Sequence, residues 1–144
     1  MFIGEYIHTI DSKKRLAVPT RLRKELGGTI VVTRGPDHCL FLYPVKAWEG
    51  MAEKLSKLPL GQADTRNFVR FMLAGASEEE IDSLGRILIP DNLKQYASLG
   101  TKAVIVGVFD RIEVWSPERW DDVRKKTEDH ADRLAERLGE LGVY

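Results

Sequence analysis

Apolar and polar positions change period in a fixed succession along the chain, and each change marks an element. Tyr6 to Ile10 is rich in β-forming residues and runs into the turn-forming Asp11-Ser12-Lys13-Lys14. Leu16 and Val18 alternate with Arg15 and Ala17, and Pro19 closes this second strand. Residues Thr20 to Leu26 suit a short helix, with Pro19 just before it and Gly27-Gly28 just after. Two more strands are predicted near Thr29–Thr33 and Cys39–Tyr43, joined by the turn composition of Arg34-Gly35-Pro36-Asp37. Val45, Trp48, Ala52 and Leu55 then follow helical spacing. Leu58 to Gln62 is a break, after which a helix is predicted from about Ala63 to Ala74. Its Phe68, Phe71 and Met72 are expected to face a core, with Arg66 and Arg70 sharing another side.

The succession then repeats. Asp11-Ser12-Lys13-Lys14-Arg15-Leu16-Ala17-Val18-Pro19 matches Asp82-Ser83-Leu84-Gly85-Arg86-Ile87-Leu88-Ile89-Pro90 at an offset of 71 residues. Asp37-His38-Cys39-Leu40-Phe41-Leu42-Tyr43-Pro44 corresponds to Asp110-Arg111-Ile112-Glu113-Val114-Trp115-Ser116-Pro117 at an offset of 73. A unit of about forty residues buries too little surface to be stable alone, so the two copies should form one pseudo-twofold domain with interleaved strands. After the second copy, Arg124 to His130 contains no apolar side chain, and Ala131, Leu134, Leu138 and Leu141 return at helical spacing. That stretch reads either as a frayed tail or as a helix docking on a neighbouring chain.

Composition narrows the function classes. The chain has 144 residues, 43% apolar and 31% charged, the balance of a folded soluble domain. No apolar run approaches the roughly 18 residues that span a bilayer. Met1 to Glu5 lacks a leader pattern, so no signal peptide is expected, and with a single cysteine a cytoplasmic location is the default expectation. The lone Cys39 excludes an intrachain disulfide and any cysteine-based zinc cluster. His8, His38 and His130 show no metal-ligand spacing, and His38 and Cys39, as strand neighbours, would point to opposite faces. No phosphate loop or nucleophile elbow is present, so we expect no enzymatic activity, metal or cofactor.

Charge is balanced overall, at 22 Lys plus Arg against 22 Asp plus Glu, but unevenly placed. Between Asp11 and Lys24, six cations (Lys13, Lys14, Arg15, Arg21, Arg23 and Lys24) face a single acid. Such a run is either a solvated face or a surface for phosphates, depending on whether the cations converge in space. Both repeats carry Asp-x-x-x-Arg. That spacing fits a carboxylate that caps turn N–H groups and holds a guanidinium across a hairpin. The same pairing makes the Arg a preorganised donor for phosphate or guanine. The second copy is weaker, because Leu84 replaces Lys13 and Asp91 offsets Arg86.

Gly4-Glu5-Tyr6, His8-Thr9-Ile10-Asp11, Thr33-Arg34-Gly35, Cys39 to Pro44, Phe68-Val69-Arg70-Phe71 and Gly85 to Pro90, in this order, resemble the MraZ family of bacterial transcriptional regulators. The halves of that family are related to the AbrB swapped-hairpin DNA-binding fold. The resemblance implies an α+β fold of two AbrB-like β-rich units, forming one pseudo-twofold swapped-hairpin barrel with flanking helices. The expected organisation is a first unit at 1–58, a connecting helix at 59–75, a second unit at 76–123 and a C-terminal helical tail at 124–144. It further implies a ring-shaped homo-oligomer, commonly octameric, that binds short direct repeats of double-stranded DNA. Those repeats would lie upstream of its own gene, in the division and cell-wall cluster. A cytoplasmic, nucleoid-associated protein follows, with no membrane and no small-molecule substrate.

In the family the Asp-x-x-x-Arg loops carry DNA contact, which maps onto Lys13, Lys14, Arg15 and Arg86. Asp11 and Asp82 would support the loops, and Arg21, Arg23 and Lys24 would be further contacts to the DNA backbone. Lys14 stands where the family usually has Gly. A left-handed conformation there costs Lys about 1–2 kcal/mol, so either the turn differs or Lys14 accepts that cost and adds a phosphate contact. Two rival readings stand beside the regulator: a protein-interaction module of antitoxin type, and a ring scaffold with incidental basic loops.

Overall fold

A computed structural model describes residues 1–143, and the described chain forms two intertwined copies of one motif. The first copy comprises β1 (Phe2–Thr9), β2 (Arg15–Ala17), α1 (Thr20–Leu26), β3 (Thr29–Gly35), β4 (Cys39–Pro44) and α2 (Val45–Ser56). After α3 (Ala63–Leu73), the second copy repeats it as β5 (Ser77–Glu80), β6 (Arg86–Leu88), α4 (Asp91–Tyr96), β7 (Lys102–Phe109), β8 (Ile112–Trp115) and α5 (Pro117–Asp129). A last helix, α6 (Ala131–Glu140), follows His130. No described helix is long and apolar enough to cross a membrane.

The topology reads the same from either end. Six strands pair in the order β1-β7-β8-β4-β3-β5, all antiparallel, so each copy lends its first strand to the hairpin of the other. The two short strands β2 and β6 form a separate antiparallel ribbon. In that ribbon Leu16 pairs with Ile87, its own equivalent 71 residues later, which places the pseudo-twofold axis between them. Bonds outside the strands obey the same symmetry: Val18 N–H donates to Gly85 O at 2.9 Å and Ile89 N–H to Lys14 O at 2.8 Å. The expected pseudo-twofold, interleaved α+β fold is the one observed.

Both faces of the sheet are covered at its inner strands, which is why β3, β4 and β7 read as apolar runs rather than clean alternations. Ile30, Val32, Leu40, Leu42, Ile105, Ile112 and Val114 meet Leu16 and Ile87 of the ribbon and Leu22 and Leu93 of the short helices in one core. On the opposite face Cys39, Val104, Val106 and Trp115 pack with Trp120 and Val123 of α5. Burial pushes the Cys39 thiol far above its ordinary value, and its Sγ bonds to Pro36 O.

Two expectations need adjusting, and the expected C-terminal helical tail takes a definite form. The first strand begins at Phe2 rather than Tyr6, because Gly4 and Gly107 face each other and let the backbones of β1 and β7 run together. A Cβ on Gly107 would stand 2.5 Å from Ile3 N. Phe68 does not face a core. It is 42% exposed, because α3 approaches β3 along its Met72 side, where Thr33 Oγ1 donates to Met72 O and Arg34 Nε to Phe71 O. Finally, the C-terminal stretch is helical. The helix α5 continues through Arg124 to Asp129, α6 leaves Leu134 and Leu138 exposed, as is Leu141 just after it, and residue 144 lies outside the described residues.

Leu16 and Ile87 are fully buried at the axis and serve both halves at once. Leu16→Ala and Ile87→Ala should each cost about 2–5 kcal/mol by opening a cavity there. Urea unfolding followed by tryptophan fluorescence and by circular dichroism should show one shared transition for each variant. Two separated transitions would mean the halves fold independently.

Candidate nucleic-acid interface

With Leu16 and Ile87 turned into the core, strand alternation turns Arg15, Ala17, Arg86 and Leu88 to the outside of the ribbon. The register sets Arg15 opposite Leu88 and Ala17 opposite Arg86, so the two arginines are diagonal neighbours on one outward face. Each is held by the turn that precedes it. Asp11 Oδ1 accepts the N–H groups of Lys13 (2.9 Å) and Arg15 (3.0 Å), and its Oδ2 accepts Arg15 Nε at 2.8 Å. Asp82 does the same for the N–H groups of Leu84 and Arg86 (both 2.9 Å) and for Arg86 Nε (2.8 Å). Arg86 Nη1 also stands 3.8 Å from Asp11 Oδ2, which ties the two motifs together across the axis.

These bonds shape the electrostatics. The backbone N–H of Arg15 is the largest influence holding the Asp11 carboxyl below the usual carboxylate range, and the backbone N–H of Arg86 acts likewise on Asp82. Each carboxylate engages Nε. Among the described residues, nothing hydrogen-bonds Nη1 or Nη2 of Arg15, so that edge remains open for a bidentate acceptor such as guanine O6 and N7.

The remaining nominated cations separate into two kinds. Lys13, Arg21 and Lys24 are exposed and have no ion-pair partner among the described residues. Lys14 and Arg23 are engaged with the other repeat. Lys14 adopts the left-handed conformation (φ 63°), the place where the second turn has Gly85 (φ 78°), and its Nζ pairs with the Asp91 carboxylate. That exposed ion pair contributes at most about 1 kcal/mol, no more than the backbone cost of a lysine there. Arg23 donates from Nε to Val18 O at 2.8 Å and packs against Gly85, where a Cβ would come within 2.1 Å of its Cζ. Its guanidinium therefore braces the second turn. Asp91 is also re-placed: it pairs with Lys14, not with Arg86 as the sequence suggested, because α4 begins beside the first turn.

Comparison with known proteins gives the same twofold division. The family described as "MraZ protein, putative antitoxin-like" matches residues 1–71 and again 72–140. The chain belongs to the MraZ family. A relative from Moorella thermoacetica, named Transcriptional regulator MraZ, is 49% identical over 99% of this chain and 100% of its own length. Relatives of the same name from Desulfitobacterium hafniense (50%) and Clostridium tetani (47%) match over the same shares of each chain.

For this MraZ-family chain, sequence reasoning missed Leu88 on the outward surface and gave Asp91 the wrong partner. Leu88, 44% exposed, lies opposite Arg15, and Asp91 faces the first turn from the second repeat. The ribbon register could have found Leu88. No local signal points to Asp91, whose partner is 77 positions away.

The lowered carboxyls fix the sign of a pH dependence. A carboxylate held low when folded adds stability that is fully present above about pH 4 and lost as pH falls through the folded value. Thermal melting should therefore be insensitive to these groups near neutrality and drop on acidification. Asp11→Asn should lower the melting temperature at pH 7 and flatten that acid limb. An unchanged acid limb would show that Asp11 carries no folding-linked proton.

Proposed function

We propose that this chain is a sequence-specific, non-enzymatic DNA-binding transcriptional regulator, with the β2–β6 ribbon as its reading element. The observation that carries the reading is the diagonal Arg15–Arg86 pair on the outward face of a two-stranded ribbon, each guanidinium preoriented by its own aspartate. A B-form major groove admits such a ribbon, and an arginine with a free Nη edge suits guanine there. Lys13 and Lys14 would add phosphate contacts from the first turn, and Arg21 and Lys24 would reach the backbone from α1. The names of the relatives support the regulatory role.

Single ribbons offer few contacts, so we further propose a ring-shaped homo-oligomer, commonly octameric in the resemblance noted above. It would present several ribbons to short direct repeats upstream of its own gene, in the division and cell-wall cluster. Subunits joined head to tail repeat one orientation, which matches direct repeats better than palindromes. Joining the ribbons in one body replaces independent weak encounters by effective concentration. A cytoplasmic protein at the nucleoid follows from this role. The description of the matched family as antitoxin-like favours one second reading, a module that binds a protein partner through the same fold.

Fluorescence anisotropy against a duplex from upstream of its own gene, with a scrambled duplex as control, separates these readings. Three or four ribbons with about two phosphates each predict a salt slope near −5 to −7 in log–log form. Arg15→Ala should reduce binding of the upstream duplex to the level of the scrambled one, a loss of at least about tenfold, with fold and oligomer unchanged. Weak binding, equal on both duplexes, together with one stoichiometric protein in a pull-down would favour the protein-partner reading.

A further inference from the structure

Only part of the positive run between Asp11 and Lys24 reaches the surface as free charge: Lys13, Arg21 and Lys24 are exposed and unpaired among the described residues, whereas Lys14, Arg15 and Arg23 are engaged. Arg15 and Arg86 are matched by Asp11 and Asp82 within their own turns, as a hairpin of this spacing requires. Lys14 is different, because its counter-charge comes from the other repeat, at the first residue of α4. The pairing is not symmetric. At the equivalent places 71 residues apart stand Gly85 for Lys14 and Thr20 for Asp91, so the ion pair exists at one turn only. Both side chains are substantially exposed, at 42% for Lys14 and 66% for Asp91, so the pair excludes little water and its contribution to folding is small. Its consequence is for whatever approaches the turn. A phosphate reaching Lys14 must displace or share the Asp91 carboxylate and approach that negative charge as well.

Resting on the DNA-binding reading above, we propose that Asp91 is a specificity-determining residue that acts through Lys14. It withholds the Lys14 ammonium from random phosphates, so that of the two lysines on the first turn only Lys13 is free for non-specific attraction. Arg15 is paired only through Nε and keeps its base-reading edge. Non-specific binding is almost entirely counterion release, whereas discrimination comes from base edges. A carboxylate that cancels one phosphate-seeking cation per subunit therefore suppresses the first more than the second. In a multivalent assembly this suppression is compounded over every engaged ribbon.

The test is a two-by-two set: the intact chain, Asp91→Asn, Lys14→Gly and the double variant. Gly at position 14 suits the left-handed backbone (φ 63°), so that variant removes the ammonium without straining the turn. Binding to the upstream duplex and to a random-sequence duplex is read by anisotropy across salt concentration, with melting temperatures as a fold check. Asp91→Asn should tighten binding to the random duplex by about five- to tenfold at low salt. Its slope should become more negative by about 0.9 for each engaged turn. The upstream duplex should gain less, so the ratio between the two falls. In the Lys14→Gly background the same substitution should change neither affinity nor slope.

An equal effect of Asp91→Asn in both backgrounds would overturn the proposal, because Asp91 would then act as a general repulsive charge. So would no effect in either background while the intact chain still prefers its upstream duplex. If the intact chain shows no preference, the DNA-binding reading itself falls and this inference falls with it.

Discussion

The pairing of β2 with β6 across the pseudo-twofold axis is the constraint on which the rest of the molecule depends. Two strands of three residues make few hydrogen bonds, and an isolated ribbon of that size is at best marginal in water. It persists because Leu16 and Ile87 pass into a core that the six-stranded sheet and both short helices complete. The sheet in turn closes only because each copy gives its first strand to the other. Neither half can be removed without exposing the apolar face of what remains.

That constraint also decides what the surface can offer. A ribbon nailed down by its inward side chains holds its outward ones in a fixed register. Arg15 and Arg86 thus come to the outside as a pair, with little freedom left to lose on binding. The aspartates that begin the turns complete this arrangement by satisfying backbone N–H groups with one oxygen and a guanidinium with the other. The ion pair that stiffens the hairpin also aims the arginine, so under the proposed function structural and recognition roles would fall on the same bonds.

The two turns share a bond pattern and differ in charge. The first carries Lys13 and Lys14 on a backbone that costs lysine energy, while the second carries Leu84 and a relaxed Gly85. Each turn is buttressed from the opposite repeat, the first by Asp91 and the second by Arg23. Interleaving therefore lets residues far apart in sequence tune the charge and shape of a turn they do not belong to.

Much of this was legible in the chain alone, because local chemistry and repetition carry it. The element order, the α1 boundaries at Thr20 and Leu26, the twofold repeat and the Asp-x-x-x-Arg turns depend on period, turn composition and spacings of a few residues. Their physical causes act over the same short range. Charge and exposure at the surface were decided by tertiary structure. Nothing near Lys14 announces Asp91, nothing near Arg23 announces Gly85, and Phe68 sits at helical spacing yet faces outward because α3 meets the sheet along Met72. Sequence determined which groups each turn contains. Only the exchange of strands between the copies determined which charges face one another, because Coulomb and packing forces depend on distance in space and not along the chain.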